Sequence, residues 1–220
     1  MLDQLRAVPA EKSIVVVPFA NLSPAEENEY LSDGFTDALT GDLAAVRRLE
    51  VVPRASALLY KNTDKDPPTI ARELRVRYVL EGSVRKAGTS LRITAQLIDG
   101  QAAAQIWSDQ YAGKFEQVFE LRERVAREVV HALEISLSAE EDRIIAARPI
   151  ADPMAYDCYL RALHELAQTQ DGAVERATML ARRGLEIAGD NPLLLACLQR
   201  ADAERTRRNG GVRLEHRGSE

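Results

Sequence analysis

The sequence predicts a mixed α/β fold, because segments with two different hydrophobic periods alternate along the chain. Ile14–Val17 is a short β-branched run, typical of a strand that is buried on both faces. Between Leu31 and Val46 the apolar residues recur instead at helical spacing. Along 78–86 and 91–98, apolar and polar residues alternate as they do in strands with one exposed face. We therefore expect an α/β (α+β) domain built on a mixed sheet.

Two βα units account for the first half of this domain. A helix is predicted over 26–49, and Pro24 separates it from the first strand because proline disfavours helix in the residue before it. Residues 51–53 form a second short strand that ends at a proline. Pro67 and Pro68 begin another helix, in its first turn, where the missing N–H of proline needs no partner.

The second half of the domain is predicted to be an antiparallel meander followed by a helix. Turns at 87–89 and at Asp99-Gly100 join three consecutive strands, the third of which spans 104–111. A long helix follows over 115–147. The expected order is thus β-α-β-α-β-β-β with a long C-terminal helix, which assigns 13–148 to this domain and 1–12 to a linker.

A helical segment is predicted from 149 to 205. Two helices, over 154–168 and 173–188, are joined by a short loop and form an α-helical hairpin, and a third helix begins near residue 193. Residues 206–220 show no hydrophobic periodicity. We expect an unstructured tail there.

Charge and composition argue against several classes of function. The chain has 220 residues, a formal net charge of −5 and 45% hydrophobic residues, which is the balance of a globular protein. It lacks the surplus of cations that DNA-binding domains use to neutralise phosphates, so no direct nucleic-acid partner is expected. No apolar run approaches the ~20 residues of a membrane span, and residues 1–12 lack the features of a signal peptide. We expect a cytoplasmic protein without membrane insertion.

The two cysteines, Cys158 and Cys197, lie far apart in the sequence and outside any CxxC motif. A structural zinc site needs about four soft ligands, which two cysteines cannot supply. We expect both residues to be free thiols in helices, as is usual in a reducing compartment.

No group of residues has the pattern of a catalytic site. The three histidines are scattered, no Ser or Cys occupies a nucleophile elbow, and no phosphate-binding glycine loop is present. Asp99 and Asp109 flank the last hairpin, but Asp99 belongs to an Asp-Gly turn, which explains it better than a metal pair does. We expect no catalytic residues, no metal ligands and no cofactor, so the chain is not predicted to be an enzyme.

One loop is a reasonable place for a ligand. Asn21 and Ser23 follow the first strand, and Asp33 and Gly34 lie in the helix after it. In α/β sheets, the carboxyl ends of the strands form the usual binding crevice. The alternative, which we favour, is that Asn21 and Ser23 satisfy the loop backbone and cap the helix.

Basic residues form two further groups. Arg85, Lys86 and Arg92 cluster across the first hairpin, and arginines at 47, 48 and 54 lie near the second strand. Each group fits a phosphate or an acidic partner. Each also fits a solvated face with apolar stems along the surface, which is the interpretation we favour.

Five segments of the chain match one known family. They are Ser13–Ser23, Glu29–Leu39, Ala71–Lys86, Leu91–Asp99 and Ile106–Tyr111, of which the stretch 77–86 is the most specific. Together they resemble the TolB-like amino-terminal domain of bacterial signalling proteins, over roughly residues 12–145. The resemblance implies a non-catalytic middle piece of a regulator, since such domains commonly follow a class III adenylate/guanylate cyclase domain or a winged-helix DNA-binding domain.

The helical segment is similar to a degenerate tetratricopeptide repeat, which commonly follows these domains. Ala177, Ala181 and Gly184 occupy its small-residue positions, whereas Gly189 stands where the repeat has proline. About one and a half repeats are present, and stacked repeats usually need about three to be stable. We therefore expect either that these helices dock on the α/β domain or that the chain is a truncated relative of a longer protein.

Three hypotheses about function follow. The first is a regulatory or protein-interaction module of a bacterial signalling or transcription-control system, with a protein partner of unknown identity. The second is a truncated remnant or partner of a class III nucleotide cyclase. The third is a stand-alone enzyme that acts on a phosphorylated small molecule.

Overall fold

The computed structural model describes the backbone of residues 9–24 and 28–215, and side chains as far as residue 207. Most of the predicted linker 1–12, the predicted helix start at residue 26 and the last five residues of the predicted tail lie outside these ranges. The chain divides into two compact units, Met1–Ala147 and Arg148–Glu220.

A mixed sheet of six strands forms the framework of the first unit. The strand order is β3-β1-β4-β5-β6, and β2 also pairs with β4. The pairs β1–β3, β1–β4 and β2–β4 are parallel, whereas the pairs β4–β5 and β5–β6 are antiparallel. The strands are β1 (Ser13–Val16), β2 (Ala20–Asn21), β3 (Glu50–Val51), β4 (Tyr78–Ala87), β5 (Ser90–Asp99) and β6 (Ala104–Lys114). The predicted mixed α/β fold is confirmed, and β2 is an addition to it.

Helices pack on both faces of this sheet. They are α1 (Glu29–Ala44), α2 (Arg54–Ala57), α3 (Pro67–Leu74), α4 (Val118–Ala132) and α5 (Ala139–Ile145). Helix α4 contacts β5, β6 and α1, so α1 and α4 share one face, which we call the helix face. On the opposite face, Val15 and Val79 form a core with Tyr60, Ile70 and other residues of the segment between β3 and β4.

The opposite face is left uncovered over most of β4, β5 and β6, and we call this part the open face. Thr94 and Arg92 of β5 are exposed there, whereas Ile93 and Leu97 are fully buried against the helix face. This is the alternation that one covered side of an antiparallel sheet produces. The sequence pattern predicted it correctly along both strands of the first hairpin.

The single helix predicted over 115–147 is wrong, because the structure has two helices there. A 3₁₀ turn (Phe115–Gln117) precedes α4, and α5 begins only after Ser138. Glu134 adopts a left-handed φ of 54°, which ends the first helix. The Ser138 hydroxyl then accepts from the Glu141 N–H at 3.3 Å, while the Glu141 carboxylate accepts from the Ser138 N–H at 2.7 Å. This capping box starts the second helix.

The second unit consists of three helices, α6 (Pro153–Ala167), α7 (Ala173–Ala188) and α8 (Pro192–Glu215). Ala177 and Ala181 of α7 are fully buried, and a Cβ atom at Gly184 would lie 2.6 Å from Leu194 Cδ2. The small residues of α7 therefore let α6 and α8 approach closely. The thiols of Cys158 and Cys197, in α6 and α8, are free.

Helix α8 is longer than predicted, so the unstructured tail expected from residue 206 is wrong as far as Glu215. Ion pairs at i,i+3 spacing join Arg205 to Asp202 and Arg207 to Glu204. Such pairs, together with the good helix propensity of Arg and Glu, continue the helix beyond its buried residues Leu194, Cys197 and Ala201. Periodicity alone therefore misses its end.

Candidate functional site

The carboxyl ends of β1 and β3 lie at the point where the chain changes from one face of the sheet to the other. Helix α1 leaves β1 toward the helix face, whereas the segment after β3 packs on the opposite face. Adjacent strands whose connections diverge in this way form the usual ligand crevice of an α/β sheet. The candidate site is this crevice.

Asp33 and Asp37 of α1 enter the crevice, one helical turn apart. Lys61 Nζ lies 2.8 Å and 2.9 Å from the two carboxylate oxygens of Asp33, and 2.7 Å from Glu29. Arg54, in the first turn of α2, pairs with Asp37. The charges of Asp33 and Asp37 are thus neutralised by cations from the opposite wall.

Burial and pairing compete at these groups. Burial raises the pKa of Asp37, and the attraction of Arg54 offsets this only in part. Burial acts to lower the pKa of Lys61, but its hydrogen bonds to Asp33 and Glu29 prevail and raise it. The crevice therefore holds Lys61 as a cation.

The ion-paired end of the crevice has almost no free space. It encloses a cavity of about 10 Å³ between Pro18, Thr36, Asp37 and Arg54. A single water molecule needs about this much. In this conformation this end of the crevice is a closed structural contact. An open groove of about 380 Å³ lies beside it, lined by Pro18, Tyr60 and residues of β4 and β5.

The four residues of the predicted ligand loop take different places. Asn21 ends β2 and its side-chain oxygen accepts from the Ser23 N–H at 2.9 Å. The Ser23 hydroxyl accepts from the Lys86 N–H at 3.0 Å. Asp33 lies in the ion-paired crevice, and Gly34 is buried within α1. For Asn21 and Ser23 the structure thus shows hydrogen bonds to backbone, as in the interpretation favoured from the sequence, although Ser23 serves β4 rather than a helix end.

The basic clusters predicted from the sequence separate in the structure. Lys86 points to the helix face, 4.3 Å from the centre of the Phe115 ring, whereas Arg85 and Arg92 lie on the open face. Arg54 pairs with Asp37, and Arg48 donates to the Ser136 carbonyl at 2.7 Å. Sequence spacing could not separate Lys86 from Arg85 without the strand register, since neighbours on a strand point to opposite faces.

Other acidic residues have structural roles. The Asp99 carboxylate accepts from the Gln101 and Ala102 N–H groups at 2.9 Å and 3.1 Å, as expected for a turn, and it also pairs with Arg77.

Within the described residues, no three His, Cys, Asp or Glu side chains come together as metal ligands would. No described helix is long and apolar enough to cross a bilayer.

Comparison with known proteins places the first unit in a family. Residues 10–128, more than half of the chain, match the model of the HilA/YgeH-like transcriptional regulator, second domain. The chain therefore belongs to this family of regulator domains.

A curated relative and several solved structures are also similar. The chain is 39% identical over 180 residues to "Putative adenylate cyclase 3" of Rhizobium meliloti, and the match covers 82% of this chain and 31% of that protein. Since the first unit has 147 residues, the match extends into the second.

Among solved structures, TolB from Acinetobacter baumannii matches with 17% identity and a TM-score of 0.44, over 56% of this chain and 28% of that one. Lipoprotein GNA1162 from Neisseria meningitidis matches with 22% identity and a TM-score of 0.42, over 59% of this chain and all of that one.

Proposed function

We propose that the chain is a non-catalytic module through which a bacterial signalling or transcription regulator contacts a protein partner. Membership in the regulator family supports the regulatory part of this proposal. The interaction part is supported by one structural observation, the open edge of the sheet.

Strand β6 offers this edge in regular register over 107–114, beyond a bulge at Ile106. The Phe115 N–H donates to the Thr89 carbonyl at 2.8 Å, so by the alternation of antiparallel bonds Ser108, Gln110 and Ala112 direct their backbone groups away from β5. No described strand pairs with this side of β6. Free backbone donors and acceptors in a row are what a strand from another protein binds.

The side chains of β6 fit the same role. Ile106 is 43% exposed, and Trp107 is only half-buried on the neighbouring position. Along the strand only Asp109 and Lys114 are charged. An apolar anchor on a nearly uncharged edge favours strand addition, whereas natural edges that avoid partners carry more charge or proline.

The paired crevice supports the absence of catalysis. A general acid, base or nucleophile needs contact with a substrate, whereas the partly exposed carboxylates of Asp33 and Asp37 are each engaged by a cation, beside a cavity for one water. The same proposal includes a cytoplasmic location, for which the free thiols of Cys158 and Cys197 give support. It also includes a tetratricopeptide-like role for α6 to α8 in holding a peptide.

A second candidate function is that of an accessory region of a nucleotide cyclase. The similarity to the protein named putative adenylate cyclase 3 favours it, because that match takes in both units of this chain. The chain spans less than a third of that relative, so the catalytic activity in the relative's name is not carried over with the match. A cyclase reading frame directly upstream in the genome would favour this candidate.

A nucleotide-turnover assay tests the non-catalytic proposal. Purified chain incubated with ATP or GTP and Mg²⁺ or Mn²⁺ is expected to leave the nucleotide unchanged. Turnover that disappears in Asn21→Ala and Asp33→Asn variants would contradict the proposal and support a stand-alone enzyme.

Partner capture from the source bacterium tests the interaction surface. Proline at Gln110 is expected to abolish capture, because it removes an outward N–H that strand addition needs, while Gln110→Ala retains that N–H and is the matched control. Deletion of 150–205 removes most of the second unit and shows which unit holds a captured partner. A partner that survives both Gln110→Pro and this deletion would contradict the proposed surfaces.

A further inference from the structure

The open face carries a group of nine side chains at the end of the first hairpin that lies next to the β4–β5 turn. In the strand register, Arg85 of β4 lies directly opposite Arg92 of β5, which in turn lies opposite Ala112 of β6. The rows on either side complete the group. We call it the arginine patch, and its members are Ser83, Arg85, Ala87, Ser90, Arg92, Thr94, Gln110, Ala112 and Lys114.

The arginine patch contains three cations and no carboxylate, although the whole chain has a net charge of −5. Arg85 and Arg92 are exposed, and within the described residues neither makes an ion pair or a side-chain hydrogen bond. Other arginines, such as Arg77 and Arg127, do pair with acids. Like charges directly opposite each other on a sheet destabilise it, so this arrangement has a cost in stability that an anion would remove.

The surface around the two arginines is concave. A groove of about 360 Å³ is lined by both guanidinium-bearing residues and otherwise mostly by small side chains. Ala87, Ser90 and Ala112 leave the space that larger residues on these strands would fill. The volume is at the lower end of the range of about 300–1,000 Å³ found for small-molecule sites.

We propose that the arginine patch binds the phosphate group of a small ligand. Directly opposite residues have Cβ atoms about 4.5–5.5 Å apart, so both guanidinium groups can reach one tetrahedral anion. The planar fork of arginine donates two parallel hydrogen bonds to phosphate oxygens, which a lysine cannot do. The Ser90 hydroxyl and Lys114 lie at the rim, where they can contact the rest of the ligand. This goes beyond the proposed function, since the site does not depend on a protein partner.

Titration of the full chain with inorganic pyrophosphate at low ionic strength tests the site. Isothermal calorimetry is expected to show saturable binding, and Arg85→Gln or Arg92→Gln is expected to weaken it by about tenfold or more, since each removes a charge-assisted bidentate contact. Arg72→Gln, an equal change of charge on an exposed helix, is the matched control and should bind like the original chain. Circular dichroism of each variant checks that it is folded.

Two results would overturn the proposal. The first is a failure of the binding test itself. Either the original chain shows no saturable binding, or Arg72→Gln loses as much binding as the patch variants do, and the binding is then only a general effect of charge. The second concerns the class of anion. A tricarboxylate should bind much more weakly than pyrophosphate, and equal binding would instead make the patch a contact for acidic protein segments.

Discussion

At the scale of single residues, Asp42 has the most perturbed environment among the carboxylates that the structure describes in the first unit. Arg122 Nε lies 2.8 Å from Asp42 Oδ2, and both side chains are nearly buried, but the two atoms are not aligned for a hydrogen bond. Burial raises the pKa of Asp42 to about 7, and the charge of Arg122 only partly opposes it. Arg122 also donates to the Ala147 carbonyl at 3.0 Å, so this pair links α1 and α4 to the end of the first unit.

The raised pKa predicts how stability depends on pH. Between its ordinary value near 3.8 and about 7, Asp42 is protonated in the folded state and ionised in the unfolded state. Its contribution to stability is therefore complete below pH 4 and is lost as the pH rises to 7, with a slope of up to about 1.4 kcal/mol per pH unit. The free energy of unfolding of the original chain should fall relative to Asp42→Asn over this range, in urea denaturation at each pH.

An Asp64→Asn variant, which removes an exposed carboxylate from a loop, controls for the change of net charge. If Asp42→Asn and the original chain run parallel from pH 4 to pH 8, the buried carboxylate is not protonated in the folded state.

Contacts between single residues are also the feature that the sequence predicts least well. The turn role of Asp99 was predictable, because its partners are two and three positions away. The pairs Asp42–Arg122 and Asp33–Lys61 join residues on different elements, and only the folded arrangement brings them together. The sequence indicates Asp33 as a candidate because it lies in the helix after the first strand. It does not indicate Lys61, which neutralises Asp33.

At the scale of elements, glycines in helices distinguish free surface from close packing. Gly41 lies within α1 with no atom near its missing Cβ, whereas a Cβ at Gly184 would overlap Leu194 and lie 3.4 Å from Cys158 Cβ. Alanine is better than glycine in a helix by about 0.8–1 kcal/mol. Overpacking a core usually costs about 1–3 kcal/mol.

The two glycines should therefore respond in opposite directions. Gly41→Ala is expected to raise the free energy of unfolding of the first unit by about 0.5–1 kcal/mol. Gly184→Ala is expected to lower that of the second unit by about 1 kcal/mol, the packing cost less the helix gain. Thermal denaturation followed by circular dichroism measures both. Stabilisation by both substitutions would show that α7 has room at Gly184.

Elements were easiest to predict where packing imposes a regular pattern. The alternation along β4 and β5 identified the hairpin and its covered face, because one side of each strand is solvated. The break between α4 and α5 was missed, since apolar residues continue through it and the signals are a left-handed Glu134 and a local Ser138 capping box. Strand β2, of two residues, is too short for any periodic signal.

At the scale of the whole molecule, two compact units follow one another along the chain. The first belongs to a family of transcriptional-regulator domains. In the second, the described secondary structure consists of the helices α6, α7 and α8. The change from mixed to purely helical periodicity near residue 148 was visible in the sequence. What was not visible is that β6 forms an edge, because strand order depends on crossovers between distant segments.

Photo-crosslinking from the edge of β6 tests the central claim most directly. A photoreactive amino acid at position 110, introduced in the cells that produce the protein, is expected to form a covalent adduct with another polypeptide. The same residue at position 72, on the exposed side of α3, is expected to form none. No adduct from position 110, or equal adducts from both positions, would contradict the proposal that this chain acts by contacting a protein partner through the open edge of its sheet.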